Sequence, residues 1–209
     1  IQIKTYPDHI SDWFSDWFTS YYWHGDRDEQ TIYLTFDDGP TPEVTEFVLN
    51  ELKKNNLKAT FFCIGDNVSK YPDIYRYILR DGHRVGNHTY HHLNAWKSSK
   101  KEYLKNITDC SKLVTSDLFR PPYGRITGGV TKFLIDNGYK IILWDVLSGD
   151  FDLNRTASSC LENLKKNTKN GSVIVFHDSQ KSFEKLKEIL PIYLNFIKQN
   201  GWKCEVIPF

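Results

Sequence analysis

Short β-prone runs alternate with amphipathic helical stretches along most of the chain, and this alternation most narrows the fold. The runs are Ile32–Phe36, Ala59–Ile64, Arg84–Asn87, Leu118–Arg120, Lys140–Asp145, Ser172–Phe176 and Trp202–Ile207. Strands alternating with helices predict an α/β fold, a parallel sheet with helical crossovers. Most runs are continuously apolar, as expected of strands covered on both faces. A (β/α) barrel of about seven parallel strands fits this pattern, with an open doubly wound sheet as the alternative. A helix is expected after Thr41-Pro42-Glu43, with Thr41 as its cap and Pro42 in its first turn. Others are expected from Pro72 to Gly82, from Ser98 or Ser99 onward, and over 128–137, 155–168 and 182–200. Pro191 lies inside the last and is a candidate kink.

Uninterrupted apolar runs reach only four residues (Phe61 to Ile64, Ile141 to Trp144, Val173 to Phe176). A membrane-spanning helix needs about 20, so no transmembrane segment is expected. Twenty-seven Lys+Arg stand against 26 Asp+Glu with no basic stripe, which removes the electrostatic footprint of nucleic-acid binding. The four cysteines, Cys63, Cys110, Cys160 and Cys204, form no C-x-x-C. Small buried thiols are therefore expected, not a redox motif, a thiolate zinc site or disulfides. The chain begins at Ile1 and has no Met, so its numbering is expected to start after an initiator, a signal or another segment, and no charged-then-apolar leader is visible in it. Two parts are expected: an aromatic N-terminal segment, 1–30, packed on a main domain, 31–209. Trp13, Phe14, Trp17, Phe18, Tyr21, Tyr22 and Trp23 crowd that segment, and Trp13/Trp17 and Phe14/Phe18 are i,i+4 pairs. Such stripes are usually core, so a flap over a barrel end or seam is expected, with sugar stacking or a membrane-interface role as alternatives.

Polar residues follow each run. Asp37, Asp38 and Gly39 come after the first, and His88 and His92 after the third. Arg120 runs into Pro121-Pro122-Tyr123-Gly124; Trp144, Asp145 and Asp150 close or follow the fifth run; His177 and Asp178 follow the sixth. In a parallel barrel these positions open onto the C-terminal face, where such folds place active sites. Adjacent residues of an extended chain point in different directions, so one acid of Asp37-Asp38 can hold a metal while the other stays free. His88 and His92 share a face if their segment makes a helical turn. With one carboxylate they could hold a cation and leave coordination positions open, as catalytic sites do. Arg120 is a candidate to orient a carboxylate, and an acid such as Asp150 beside His177 would raise the imidazole's pKa toward working pH.

Thr35-Phe36-Asp37-Asp38-Gly39, His88-Thr89-x-x-His92, Arg120-Pro121-Pro122-Tyr123-Gly124 and Val175-Phe176-His177 resemble, in order, the motifs of the polysaccharide deacetylases. That family is the NodB-homology domain of carbohydrate esterase family 4, and the resemblance spans about residues 31–207. It implies a distorted (β/α) barrel of seven or eight strands with its active site at the strand C-terminal ends. The implied activity is metal-dependent removal of N-acetyl groups from acetamido sugars in chitin, chitooligosaccharides, peptidoglycan or similar glycans. Asp38, His88 and His92 would hold one divalent metal, usually Zn²⁺, with Co²⁺, Ni²⁺ or Mn²⁺ also able to serve. Asp37, oriented by Arg120, would be the base that deprotonates the attacking water, and the backbone N–H of Tyr123 would polarise the carbonyl. His177, tuned by Asp150, would protonate the departing amine. Tyr123, Trp144 and Phe151 are expected to bind substrate. The chain departs from the family pattern at Leu147, where many members have Asp, and at Phe151, where a Trp usually walls the groove, so a different groove specificity is expected. An acetylated glycan is the implied partner, a monomer the implied state, and the cell exterior or envelope the implied place. An acetylxylan-type O-deacetylase, a small-amide hydrolase and a carbohydrate-binding pseudoenzyme are the alternatives.

Overall fold

The computed structural model describes residues 6–209, so the first five residues of the N-terminal segment lie outside it. Among the described residues eight strands form one sheet: β1 (Thr31–Asp37), β2 (Thr60–Cys63), β3 (Arg84–Asn87), β4 (Leu118–Phe119), β5 (Lys140–Ile141), β6 (Val146–Leu147), β7 (Val173–His177) and β8 (Lys203–Cys204). Their order is β5-β4-β3-β2-β1-β7-β6, with β8 paired to the start of β1. Neighbouring strands are all parallel. Seven of them curl into a half-barrel whose C-terminal ends share one rim.

Alternation along β1 builds two cores. Ile32, Leu34 and Phe36 pack outward with Leu52, Leu164 and Leu190 of the surrounding helices, while Tyr33 faces inward with Phe62, Leu118 and Ile142. All seven β1 residues are buried, which is why the strand reads as an unbroken apolar run.

The helices are α1 (Asp12–Ser15), α2 (Val44–Lys54), α3 (Gly65–Lys70), α4 (Pro72–Arg80), α5 (Lys100–Ser111), α6 (Gly128–Asp136), α7 (Ala157–Asn167) and α8 (Phe183–Gln199). Ser99 and Thr156 cap α5 and α7 through their side chains. Thr41 does not cap α2. The helix starts three residues later, behind a capping box of Glu43 and Glu46, and the Thr45 hydroxyl, one turn along, accepts from Thr41 N and donates to Asp178. Pro191 lies within a continuous α8.

The run Lys140–Asp145 is not one strand. Its first two residues form β5, and β6 begins at Val146, at the other end of the sheet order. The N-terminal segment runs along both of these sheet ends. Tyr22 N donates to Ile141 O (2.8 Å) and Leu143 N to Tyr22 O (2.8 Å), while Ile10 N donates to Asp145 O (2.9 Å) and Leu147 N to Asp8 O (3.0 Å). The segment's aromatic pairs do not behave as a core stripe. Trp13 is 70% and Trp17 72% exposed, and Phe14 and Phe18 are exposed too, because α1 is a single four-residue turn. All four cysteines are free and buried. No helix among the described residues is long and apolar enough to cross a membrane.

Candidate active site

The two acids after β1 part company at the strand end. Asp37 keeps the inward register of Tyr33 and Thr35, and there it meets Arg120. This guanidinium is fully buried. Its Nη1 donates to Asp37 Oδ1 (2.7 Å) and Thr35 Oγ1 (2.6 Å), Nε to Ile142 O (3.2 Å) and Nη2 to Leu143 O (3.0 Å). It also lies 4.1 Å above the Phe62 ring. The planar fork thus holds one carboxylate in a fixed orientation, the geometry for which Arg is suited and Lys is not.

Asp38 takes a left-handed backbone conformation (φ 84°), so its side chain turns toward β3. Its Oδ1 lies 3.2 Å from His92 Nε2 and 3.6 Å from His88 Nε2. Asp38, His88 and His92 each offer a ligand atom, all within 4.8 Å of one another. Burial alone would raise Asp38, but the facing imidazoles, His92 foremost, hold its carboxyl well below the usual carboxylate range.

His88 Nδ1 is 2.8 Å from Arg120 O. A carbonyl only accepts, so Nδ1 carries the proton and Nε2 keeps its lone pair for the side facing Asp38. Burial pulls the His88 imidazole down to about 4, so it is neutral, the form that ligates a metal. His88 and His92 do not converge through a helical turn. Thr89 (φ 63°) and His92 (φ 54°) are left-handed, and the loop is held by two asparagines that sequence reading had passed over. Asn87 Oδ1 accepts from Thr89 N (2.9 Å), and Asn106 Oδ1, from α5, accepts from Tyr90 N and His91 N (2.8 Å each). An Asn closing a strand just before a histidine pair was the available signal for the first; nothing local marks the second.

His177 ends β7 beside Asp37, its register partner. The fully buried Asp150 accepts from His177 N (2.8 Å) through Oδ2 and pairs with His177 Nδ1 (2.8 Å) through Oδ1. Burial would lower this imidazole, but Asp150, helped by Asp38 and Asp37, pushes it up to about 9. Asp178, also fully buried, clasps the β1–α2 loop: Oδ1 accepts from Gly39 N (3.0 Å) and Oδ2 from Thr45 Oγ1 (2.5 Å). Burial pushes it up to about 7. A side chain at Gly39 would collide with that carboxylate, so the loop needs glycine there.

Asp145, one of the strand-end acids, does not join the site. Its carboxylate is buried against Ser172 Oγ (3.0 Å), Val173 N (2.8 Å) and Arg27 (2.9 Å), fastening the N-terminal segment instead. His91 is exposed, with its ring against Tyr90. One cleft of about 1050 Å³ brings together Asp37, Asp38, His88, His92 and His177, with Tyr123, Trp144, Leu147 and Phe151 on its walls. The Tyr123 ring lies 4.6 Å from that of His92, and the Phe151 ring 4.9 Å from that of His177.

A family profile described as polysaccharide deacetylase matches residues 24–142. A peptidoglycan-N-acetylglucosamine deacetylase of Bacillus cereus is 34% identical over 183 residues, covering 82% of this chain and 66% of that protein. A chitooligosaccharide deacetylase of Azorhizobium caulinodans is 32% identical over 159 residues, 73% of this chain and 75% of that one. Among solved structures, the Bc1960 peptidoglycan N-acetylglucosamine deacetylase superposes with a TM-score of 0.80 at 33% identity, covering 90% of this chain and 91% of that chain.

Proposed function

Since the chain belongs to the polysaccharide deacetylase family, we propose that it is a metal-dependent hydrolase that removes N-acetyl groups from acetamido sugars of a glycan. What carries this reading is the meeting, in one cleft, of an oriented carboxylate, a proton-bearing imidazole and a His₂Asp ligand set.

The ligand set suits a divalent cation. Asp38 Oδ1 is buried yet has no hydrogen-bond partner among the described residues, and His88 is neutral with Nε2 free to bind. Two imidazoles and one carboxylate leave positions open for substrate or water, and their borderline-hard donors suit Zn²⁺. Such an ion, when bound, supplies Lewis-acid polarisation and a lowered water pKa. The chain's own groups do the rest. Asp37, held by Arg120, accepts the proton of the attacking water as its oxygen bonds to the acetamide carbonyl carbon. The Tyr123 backbone N–H steadies the developing oxyanion, a kind of contact typically worth about 10²–10³ in rate. His177 then gives its proton to the nitrogen as the C–N bond breaks, releasing acetate and a free amine. An amine is a poor leaving group without that proton, and a group pushed up to about 9 carries one at neutral pH. This favours an amide over an ester as substrate.

Metal-stripped protein reloaded with Zn²⁺ is expected to release acetate from N-acetylglucosamine oligomers or from peptidoglycan; no release from either substrate would defeat the reading. Zn²⁺ is also expected to raise the melting temperature, by the equivalent of about 2.7 kcal/mol at one hundred times Kd, and His88→Ala should abolish that rise. Thermal melts with and without chelator check it. Turnover should fall along an alkaline limb at or below pH 9, since a cation on Asp38 removes part of the pull that raises His177. Asp150→Asn should shift the limb down by about 1–3 pH units. For the same pair, stability is fully contributed below the ordinary imidazole value of 6.5 and is lost as pH rises through about 9.

A further inference from the structure

The cleft has a wall that comes from outside the barrel. Phe14 and Trp23, both in the segment before β1, line the same space as Asp37, Asp38, His88 and His92, and so does Trp96 from the loop after β3. None takes part in the chemistry described above. Trp96 is 64% exposed and Phe14 is exposed, which leaves apolar ring area facing the cleft.

These rings are held in place. Trp96 Nε1 donates to Ile126 O (3.1 Å), and the Arg125 guanidinium lies 4.9 Å above its ring. Trp23 Nε1 donates to Phe18 O (3.2 Å), with Phe14 edge-on at 5.8 Å and Tyr21 at 6.1 Å. The segment itself is pinned to both sheet ends by the Ile10, Tyr22 and Arg27 contacts. Rigid, exposed rings bind a ligand with little further ordering cost. A pyranose offers a matching surface, because its axial C–H bonds make an apolar, weakly positive face and an aromatic face is negative. The space of about 1050 Å³ slightly exceeds the roughly 300–1,000 Å³ of single small-ligand pockets, which leaves room for more than the sugar that reacts.

We propose that Phe14, Trp23 and Trp96 form a stacking platform for a sugar of the same glycan chain remote from the acetamide under attack. The N-terminal segment then sets the enzyme's preference for long chains. The proposal rests on the reading of the cleft as a glycan deacetylase site. Continuity with the Asp37–Asp38 centre selects a glycan as occupant over a separate partner. Trp13 and Trp17, outside the cleft lining, are not part of the platform.

The test compares wild type with the double variant Phe14→Ala/Trp96→Ala, with Trp23→Ala and with the conservative Trp96→Phe. Probes are the β-1,4-linked N-acetylglucosamine dimer and hexamer, read by acetate release from the Zn²⁺-loaded enzyme and by calorimetric binding to the metal-free protein. In the double variant, KM and Kd for the hexamer are expected to rise about tenfold. Its kcat and its kcat/KM on the dimer should stay within about twofold, and Trp96→Phe should keep most of the hexamer affinity. Equal loss on dimer and hexamer, or no loss on the hexamer, would overturn the platform, as would failure of wild type to bind the hexamer. If wild type binds the hexamer but releases no acetate, the deacetylase reading fails alone, and the weaker hexamer binding of the variants still upholds the platform.

Discussion

Asp37→Asn is expected to lower turnover by about 10²–10⁴-fold, the range for loss of a general base, while zinc content stays unchanged. The substitution keeps size and shape, and an amide oxygen can still accept from the Arg120 fork at the position Asp37 Oδ1 now holds. It removes the basicity that, in the proposed mechanism, takes the proton of the attacking water. Metal analysis separates this role from that of Asp38. If Asp37→Asn loses zinc, Asp37 is a ligand and the assignment of the two acids is reversed. If it keeps full turnover, another group is the base. Measurements belong well below the melting temperature, because the substitution also leaves a buried guanidinium short of its counter-charge and lowers stability.

Arg120→Met is expected to cost about 3–5 kcal/mol of stability, the usual price of breaking a buried ion pair from one side. For a chain of this size that corresponds to a fall in Tm of about 6–20 °C. Methionine fills much of the space against Phe62 but leaves Asp37 almost fully buried and charged. It also strips donors from Thr35 Oγ1 and from the carbonyls of Ile142 and Leu143. The partner charge should account for a large share of the loss, so Asp37→Asn in the Arg120→Met background should cost far less than it does in wild type, or even restore stability. Additive losses in the double-mutant cycle would show that the pair is not coupled and that packing alone accounts for the destabilisation.

The residues at strand ends were legible in the chain because a parallel sheet sends every strand's C-terminal end to one rim. That topological rule needs only the order of runs and helices. It located Asp37, Asp38, His88, Arg120, Asp150 and His177 near one another with no knowledge of which strand neighbours which. The division of labour proposed among them came from the resemblance. Local pattern was less informative where the backbone turns left-handed, as at Asp38, Thr89 and His92. These are not positions where such residues signal their geometry, and a helical turn was the simpler way to bring two histidines together. Asn106 was invisible for a different reason: it acts on a loop more than a dozen residues away by holding two backbone N–H groups, and no short-range period encodes that.

By itself the sequence determined the α/β class and a helix start at Ser98 or Ser99, since the first follows from the local alternation of apolar runs and the second from capping within a few residues. Tertiary structure alone decided that only Lys140–Ile141 of the run 140–145 forms a strand while the next strand, Val146–Leu147, lies at the opposite end of the sheet, that Asp145 serves the N-terminal segment and not the cleft, and that the aromatics of that segment divide among solvent, the cleft wall and the edge of the core. Those outcomes depend on which surfaces remain uncovered once the half-barrel has curled, an energy balance among residues more than a hundred positions apart such as Arg27 and Asp145.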